Sequence, residues 1–410
     1  MKRSFLFIHQ NFPGQFIHVA GQLAQDGHDV VALGIAGREV SGVRYIRYNV
    51  QAAGDRTKVA LALDFETKVI RGLACAKAME TLKVEGFVPD LIVGHPGWGE
   101  TLFCKDVWPA VRLMVFAEFF YNPTGADYAF DPEFSRDTPL ARARLRIKNT
   151  VHLHALSAAD CGYSPTHWQH RQLPPEYRDK VRVVFDGIDT QVAAPDENAF
   201  VTLAGKQLKL TRKNEVITFV NRNLEPYRGF HLFMRALPEI LRERPKAHCI
   251  IVGNDEVSYG SPAPGGGSWR TRMLKEVGHL LPANRVHFVG SLPYADYLRV
   301  LQVSSCHVYL TYPFVLSWSC LEAMSAGCAV VAGRTPPVEE VIEHGRDGLL
   351  VDFFDTAALV SQVVLVLGHR SEAAALGEAA RRRVIERYDL FTRCLPVLTA
   401  LLMDESSRRA

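Results

Sequence analysis

Two arginines and one glutamate are the residues whose types and spacing best suit a chemical task. Arg222 ends the apolar run 215–222, and Arg228 lies six residues later, directly before Gly229 and an amphipathic segment. Two guanidinium groups at a strand–loop–helix junction suit a diphosphate, because each fork pairs with phosphate oxygens and stays charged. For this spacing alone, a pair of solvated arginines is an equal alternative.

A second strand–loop–helix junction is predicted in the segment 312–333. Its helix carries Glu322 about one turn from the start and ends at Gly327. The backbone N–H groups near Ser317 and Trp318, with the positive end of the helix dipole, favour an anion. Glu322 could accept hydrogen bonds from a ribose hydroxyl pair, although alone it would be explained as a charge favoured by the dipole. Together with the two arginines, the glutamate predicts a diphosphate–ribose site.

Composition limits the class of protein. With 410 residues, 48% hydrophobic and 22% charged, the chain is typical of a soluble globular protein of two domains. A net charge of +3 is too small to indicate a nucleic-acid partner. Its apolar runs are too short for a transmembrane segment. The eight cysteines show no zinc-type spacing and are interpreted as reduced and structural, which predicts a cytoplasmic location.

Short apolar runs alternate with amphipathic segments, which is the pattern of a parallel α/β fold. Strands are predicted at 4–10, 28–34, 89–95, 112–119, 215–222, 247–253, 285–292, 304–312, 328–333 and 348–355, and the segment 179–189 ends the first half. Helices are predicted at 14–27, 229–245 and 318–327, and largely over 371–405. The Gly/Pro-rich stretch 258–270 is interpreted as a surface loop rather than a phosphate cradle.

The predicted architecture is two Rossmann-like doubly wound domains that bind ligands in a central cleft facing the carboxyl ends of both sheets. The sequence pattern changes over 190–213, where the apolar residues show only weak periodicity. We therefore predict an N-terminal domain at 1–195 and a C-terminal domain at 196–385. A helical tail follows at 386–410, and whether it packs back on the first domain is left open.

The arginine and glutamate segments resemble those of the retaining family-four glycosyltransferases, which have the GT-B fold. Arg222 and Arg228 match the arginine and lysine that hold the donor diphosphate in that family. Glu322 matches the second glutamate of an E-x7-E motif, which binds the ribose. Ser317 and Trp318 fall on the positions whose backbone amides face the phosphates.

Further matches extend this resemblance over most of the chain. The stretch 290–297, which contains Leu292, resembles the loop that packs against the base, and 335–352 resembles a "GGxPExVxxGxxGLLV" segment. In the first half, Gly14 matches a glycine of the N-terminal loop near the diphosphate, and "FDGID" (185–189) is similar to "NGVD". The resemblance implies that Gly14 and Leu292 are donor-binding residues.

The chain departs from the family pattern at two places. The first glutamate of the E-x7-E motif, which touches the transferred sugar, falls on Phe314. A family histidine after a middle strand is replaced by "VFAEFFYNPTG", which offers Glu118. Together with His95, at the end of the strand predicted at 89–95, Glu118 is our candidate for a catalytic or sugar-contacting role. Each could instead be a structural residue, and Glu100 is a weaker candidate.

The resemblance implies a transferase that moves a hexose-type sugar from a nucleotide-diphosphate donor, UDP-linked by preference, with retention of configuration. Catalysis would involve Arg222, Arg228, Glu118 and His95, with no metal and no cofactor besides the donor substrate. The acceptor is open: a sugar, lipid-linked glycan, protein or natural product. The alternatives are a nucleotide-sugar epimerase and a non-catalytic sugar-nucleotide-binding protein.

Overall fold

The computed structural model describes residues 1–51, 59–203 and 208–404. Two units are distinguished by their internal packing. The first contains the described residues of Met1–Asp186 and those from Phe391 onward, and the second is Gly187–Leu390.

Strands and helices alternate in the first unit. Its strands are β1 (Ser4–Ile8), β2 (Asn11–Phe12), β3 (Asp29–Gly34), β4 (Ala36–Gly37), β5 (Arg44–Arg47), β6 (Leu91–Gly94), β7 (Arg112–Phe116), β8 (Cys161–Ser164) and β9 (Val181–Val183). Its helices are α1 (Ile17–Gln25), α2 (Leu63–Val84), α3 (Cys104–Val107), α4 (Pro139–Lys148), α5 (Thr150–Ala158), α6 (His167–Gln172) and α7 (Pro175–Arg178).

Parallel pairing organises this unit. Among its described residues, the large sheet has the strand order β5-β3-β1-β6-β7-β8-β9, and each neighbouring pair is parallel. The central strands are buried along almost their whole length, which explains their continuous apolar runs. Because β1, β6 and β7 are neighbours, the residues that follow them meet at one edge of the sheet.

The second unit repeats this alternation. Its strands are β10 (Phe200–Leu203), β11 (Leu208–Thr211), β12 (Val216–Asn223), β13 (His248–Asn254), β14 (Val286–Gly290), β15 (Cys306–Tyr309), β16 (Val330–Gly333) and β17 (Leu349–Val351). Its helices are α8 (Phe230–Glu243), α9 (Trp269–Val277), α10 (Tyr294–Gln302), α11 (Trp318–Ser325), α12 (Pro336–Glu339), α13 (Thr356–Gly368) and α14 (Arg370–Tyr388).

The sheet of the second unit is also parallel. Within the described residues its order is β14-β13-β12-β15-β16-β17. The chain runs outward from β12 to β14 and then returns to β15 on the other side of β12. The crevice beside β12 at the carboxyl ends is therefore a topological switch point, the usual ligand position in an open α/β sheet.

The C-terminal residues divide between the two units. Helix α14 belongs to the second unit, whereas α15 (Leu395–Met403) packs on α1 in the first, where Arg3 Nη1 donates to the carbonyl oxygen of Met403 at 2.8 Å. The predicted domain ranges placed the first boundary at residue 195, and the units change at Gly187. The last part of the predicted tail, 405–410, lies outside the described residues.

The predicted strands and helices are confirmed, with ends shifted by a few residues. Most helices between the predicted ones were not predicted, nor were strands β5 and β8 and the antiparallel hairpin β10–β11; the missed helices include α2, α5, α9, α10 and α13. The hairpin falls in the segment interpreted as aperiodic, whose residues 204–207 lie outside the described part. All eight cysteines are buried and free. Among the described residues, the helices are too short or too polar to cross a membrane.

Gly229 allows the chain to turn from β12 into α8. It has φ +66°, and a Cβ there would lie 2.3 Å from Cβ of Leu310. Its N–H donates to the carbonyl oxygen of Pro226 at 2.7 Å, which closes the turn that contains Arg228. A side chain at this position would meet both backbone strain and a steric clash.

We expect Gly229→Ala to destabilise the second unit more than Gly345→Ala. Gly345 also has positive φ, at +78°, but a Cβ there meets no atom within 4 Å. The clash should therefore cost Gly229→Ala roughly 1–3 kcal/mol beyond the strain that both variants share. Calorimetric unfolding of the two full-length variants measures the difference, and equal losses would contradict the steric explanation.

Candidate functional site

A cavity of ≈ 450 Å³ lies at the carboxyl ends of β12, β13 and β14 in the second unit. Its lining residues come from these strand ends, from the start of α10 and from the start of α11. They are Val220, Asn221, Arg222, Val252, Asn254, Ser291, Leu292, Tyr297, Ser317, Trp318, Ser319 and Glu322. The cavity brings together five residues predicted to bind a donor, namely Arg222, Leu292, Ser317, Trp318 and Glu322.

The start of α11 is held in place at the cavity wall. Ser317 accepts a hydrogen bond at its Oγ from the N–H of Ser319, and its own N–H donates to the Tyr309 hydroxyl at 2.9 Å. Ser317 and Trp318 are half-buried, Arg222 is exposed, and all three line the cavity. A helix start and an exposed guanidinium facing one cavity form an anion-binding arrangement.

Arg228 lies behind the cavity rather than in its lining. Its side chain is 5% exposed, and Nη1 donates to Thr311 Oγ1 at 2.7 Å and to the carbonyl oxygen of Val315 at 3.0 Å. The guanidinium also lies over the rings of Tyr259 and Phe314, 5.1 and 5.9 Å from their centroids. Arg228 therefore braces the segment that leads into α11.

Glu225 anchors the loop that covers Arg228, and the sequence analysis did not identify it. Its carboxylate is completely buried and accepts hydrogen bonds from the N–H groups of Ser258, Tyr259 and Gly260 at 2.9–3.3 Å. The Gly/Pro-rich stretch is thus pinned at its beginning. An acidic residue three positions before Arg228 was the available signal, but nothing nearby in the sequence indicated its partners.

Glu322 is held by two phenols. Tyr294 donates to Oε1 at 2.8 Å and Tyr297 donates to Oε2 at 2.7 Å, while the glutamate is 8% exposed. Burial raises the pKa of Glu322 above its ordinary value, and the two phenol hydrogen bonds partly oppose that increase. The sequence analysis quoted the segment of both tyrosines but selected only Leu292 from it.

Two asparagines in the lining were also missed. Asn221 Nδ2 has no hydrogen-bond partner among the described residues, so the cavity contains an unused amide donor beside Arg222. Asn254 Oδ1 accepts from the N–H of Ser291 at 3.2 Å and fixes the loop before Leu292. Asparagines at strand ends are common in turns, so the sequence alone did not single them out.

A second polar cluster lies in the first unit, where β1, β6 and β7 end. His95 Nε2 lies 3.3 Å from Glu118 Oε2, and Gln15 donates to Glu118 Oε1 at 2.7 Å. Gln15 is in turn bonded to His9 Nε2 at 3.0 Å. The structure therefore brings the predicted pair His95 and Glu118 together, and adds His9 and Gln15, which were not predicted.

Backbone N–H groups orient both imidazole rings of this cluster. Gly97 donates to His95 Nδ1 at 3.1 Å, and Asn11 donates to His9 Nδ1 at 3.0 Å. In the neutral rings the proton must then lie on Nε2, which faces Glu118 in one case and Gln15 in the other. The donors of the cluster converge on the Glu118 carboxylate, whose side chain is 27% exposed.

The electrostatics of the cluster favour an ionised Glu118. Burial raises its pKa, but the hydrogen bond and charge of His95, with His9 and Gln15, outweigh burial, so the pKa lies below its ordinary value. Burial, followed by the neighbouring His95, lowers the pKa of His9 to about 3. His9 is therefore neutral at physiological pH, and through Gln15 it orients the Glu118 carboxylate.

Gly14 lies against His9. It has φ +49°, and a Cβ there would lie 2.3 Å from His9 Nε2. The residue thus has a local steric reason to be glycine, because any side chain would displace the imidazole that orients Gln15. Its predicted contact with the diphosphate stays a prediction.

Two family models together match most of the chain. The model described as "Glycosyl transferase family 4 group" matches residues 26–193, and "Glycosyl transferases group 1" matches residues 203–383. The second match contains the whole cavity of the second unit. The chain belongs to the family-four glycosyltransferases.

Curated relatives match this family-four glycosyltransferase over part of their length. D-inositol 3-phosphate glycosyltransferase of Corynebacterium jeikeium is 28% identical over 176 residues, or 43% of this chain and 40% of the relative. A GDP-mannose-dependent alpha-(1-6)-phosphatidylinositol monomannoside mannosyltransferase of Mycolicibacterium smegmatis is 28% identical over 214 residues, or 50% of this chain and 52% of the relative. The chain thus spans about half the length of the curated relatives it matches.

Solved structures share the GT-B fold. Sucrose-phosphate synthase from Thermosynechococcus elongatus has a TM-score of 0.71 at 19% identity, covering 98% of both chains. Anabaena HepE in complex with UDP-glucose has a TM-score of 0.68 at 17% identity, covering 98% of this chain and 99% of that one. The predicted fold class is confirmed.

In this family-four glycosyltransferase, an aromatic cluster lies where the first acidic residue was expected. Phe314 is 5% exposed, and its ring centroid lies 5.3 Å from Tyr227 and 5.1 Å from Tyr259. Tyr227 also packs on Tyr312 at 4.7 Å. A carboxylate in place of Phe314 would be buried among rings, so this position contributes packing around Arg228 instead of a charge.

The chain offers no evident metal centre within residues 1–51, 59–203 and 208–404, where no three His, Cys, Asp or Glu side chains are grouped to hold an ion. Metal independence stays a prediction. The weaker candidate Glu100 is completely buried, and neither carboxyl oxygen has a hydrogen-bond partner among the described residues. Burial raises the pKa of Glu100 to about 7.

We expect the stability of the first unit to fall as the pH rises between about 4.5 and 7, because folded Glu100 retains a proton that the unfolded chain releases. The total loss should be roughly 3 kcal/mol. Glu100→Gln removes this dependence, so the variant should gain stability relative to the wild type over that pH range.

Urea unfolding of the full chain at several pH values measures the difference. Glu80→Gln, at an exposed position of α2, is the matched control and should follow the wild type. Parallel pH profiles for the wild type and Glu100→Gln would contradict a proton held by Glu100.

Proposed function

We propose that this protein transfers a hexose-type sugar from a nucleoside-diphosphate donor to a hydroxyl acceptor. The observation that carries the proposal is that one cavity of the second unit contains an exposed guanidinium, a helix start and a buried carboxylate. These three groups suit the two charged phosphates and the ribose diol of one ligand. Arg222 and the start of α11 would bind the phosphates, and Glu322 the ribose.

Stabilisation of the departing diphosphate is the proposed source of catalysis. Negative charge develops on the leaving diphosphate oxygen as the glycosidic bond breaks. A hydrogen-bond donor that faces this oxygen therefore stabilises the transition state more than the ground state. Arg222 is exposed in the cavity and can approach the phosphates directly. Arg228, held by Thr311 and Val315, would act by fixing the loop before α11 and by its charge.

The donor is proposed to be UDP-linked. Anabaena HepE, which has the same fold, was solved with UDP-glucose, whereas the M. smegmatis relative is named for GDP-mannose. Leu292 and the loop fixed by Asn254 would pack against the base. Thermal shifts with UDP, GDP and their sugars test this choice, since at equal concentrations the ligand that binds more tightly stabilises the folded protein more.

Glu118 is proposed to bind a sugar hydroxyl rather than to remove its proton. A general base works best when its pKa lies near the working pH, and the pKa of Glu118 is shifted in the opposite direction. An ionised carboxylate with fixed donors on both oxygens is a good hydrogen-bond acceptor. His95 would then orient Glu118, and its predicted catalytic role would be indirect.

The remaining parts of the proposal rest on the family resemblance. They are retention of configuration and transfer without a metal ion; the proposed cytoplasmic location rests instead on the interpretation of the eight cysteines as reduced and structural. The acceptor class stays open among sugars, lipid-linked glycans, proteins and natural products. Proton NMR of the product anomer, in the presence and absence of a chelator, tests the first two.

Two alternative functions can be distinguished from sugar transfer by following the donor and the released UDP. An epimerase would convert the donor to a new sugar isomer without an acceptor, which NMR of the incubated donor detects. A non-catalytic binding protein would bind the nucleotide and release no UDP with any acceptor tried. Phe314, in place of an acidic residue, is the observation that keeps the binding protein under consideration.

Arg222→Ala should lower the turnover at least ~100-fold, on the scale of a lost oxyanion-type contact. The measurement is UDP released per enzyme with a saturating donor. Arg242→Ala, at an exposed position of α8 outside the cavity, is the control and should retain the wild-type rate. A near-normal rate for Arg222→Ala would exclude the proposed role in leaving-group stabilisation.

Glu322→Gln should weaken the binding of UDP by roughly 10-fold or more, because a hydrogen bond to a charged acceptor is lost. Isothermal titration calorimetry on the full chain measures the affinity. Because Gln preserves the size of the side chain, the variant is expected to fold. An unchanged UDP affinity would rule out the ribose contact.

A further inference from the structure

Tyr294 and Tyr297 hold the Glu322 carboxylate from one helix. Both lie in the first turn of α10, three residues apart, so their side chains share one face of the helix. The two rings lie 5.8 Å apart, and each hydroxyl donates to a different carboxylate oxygen. This two-point attachment fixes the plane of the carboxylate relative to the cavity.

The two tyrosines differ in their surroundings. Tyr297 is 9% exposed and belongs to the cavity lining, whereas Tyr294 is 51% exposed. A hydrogen bond shielded from water contributes more than one that water can replace. Tyr297 is therefore the stronger of the two supports for Glu322.

The attachment leaves a defined acceptor pattern. An ionised carboxylate has about four acceptor sites, two on each oxygen. The phenols use one site on each oxygen, so each oxygen retains one site. Two adjacent acceptor sites in a fixed plane match the two O–H donors of a vicinal diol. A protonated carboxyl, which burial favours, would lose this symmetry because one oxygen becomes a donor.

We propose that Tyr294 and Tyr297 are positioning residues that make Glu322 selective for a ribonucleoside diphosphate over its 2′-deoxy counterpart. The inference rests on the proposed function, since it requires a nucleoside diphosphate in this cavity. It adds that discrimination between the two sugars depends on the phenol hydroxyls and not on Glu322 alone.

The test compares UDP with 2′-deoxy-UDP by calorimetry on the full chain. The wild type should bind UDP roughly 10- to 100-fold more tightly, since the deoxy ligand leaves one charged acceptor site unused. The ratio of the dissociation constant of 2′-deoxy-UDP to that of UDP measures this preference. Tyr297→Phe should reduce the ratio at least about fivefold, and Tyr294→Phe should reduce it less. The double variant should approach the ratio of Glu322→Gln.

Tyr128→Phe is the matched control. Tyr128 also donates to a carboxylate, Asp137 Oδ1 at 2.8 Å, but it lies at an exposed site in the first unit. The Tyr128→Phe variant should prefer UDP over 2′-deoxy-UDP by the same factor as the wild type. Tyr294 is half exposed, so Tyr294→Phe provides a folded variant even if Tyr297→Phe is unstable.

The outcomes separate this inference from the proposed function. If Tyr297→Phe and Tyr294→Phe weaken both ligands equally and leave the ratio unchanged, the tyrosines are merely structural and the inference is wrong. If UDP binds the wild type and only Glu322→Gln changes the ratio, the inference again fails while the donor site stands. If neither UDP nor GDP binds the wild type, both proposals are overturned.

Discussion

Parallel pairing of β12 with β13 and β15 is the constraint on which the second-unit site depends. It places three strand ends at one edge of the sheet, so Arg222, Asn254 and the segment leading to α11 meet although they are far apart in the chain. The reversal of strand order beside β12 leaves a crevice between neighbouring loops. The cavity is a consequence of this topology, and its chemistry comes from the side chains that the loops carry.

Charged groups near the cavity are fixed because burial requires partners. Glu225 accepts three backbone N–H groups, Arg228 donates to Thr311 and Val315, and Glu322 accepts from two phenols. Each arrangement offsets the cost of removing a charge from water and also removes rotational freedom. Arg222 is exposed, so its side chain has room to adjust to a ligand. The site combines a rigid frame with one adaptable cation.

In the first unit, the Glu118 carboxylate is likewise fixed by hydrogen-bond partners. Two imidazoles oriented by backbone N–H groups, one directly and one through Gln15, hold Glu118 in place and lower its pKa. This favours binding a hydroxyl over removing a proton. At Phe314, where the resemblance implied an acidic residue, there is no carboxylate to hold. The phenylalanine ring packs against Arg228 and its aromatic neighbours instead.

The sequence by itself determined the two parallel α/β units and most strand positions, and it predicted as donor-binding the set Arg222, Leu292, Ser317, Trp318 and Glu322, which lines one cavity. The units and strands follow from apolar periodicity, and the five residues follow from local motifs and from the family resemblance of their segments, which depend on neighbours along the chain. Only the tertiary structure decided that Arg228 is buried behind the cavity, that Glu225 pins a loop over 30 residues away, and that Tyr294 and Tyr297 hold Glu322. These contacts join separate segments, and no local pattern records which distant hydrogen-bond partner satisfies a buried charge.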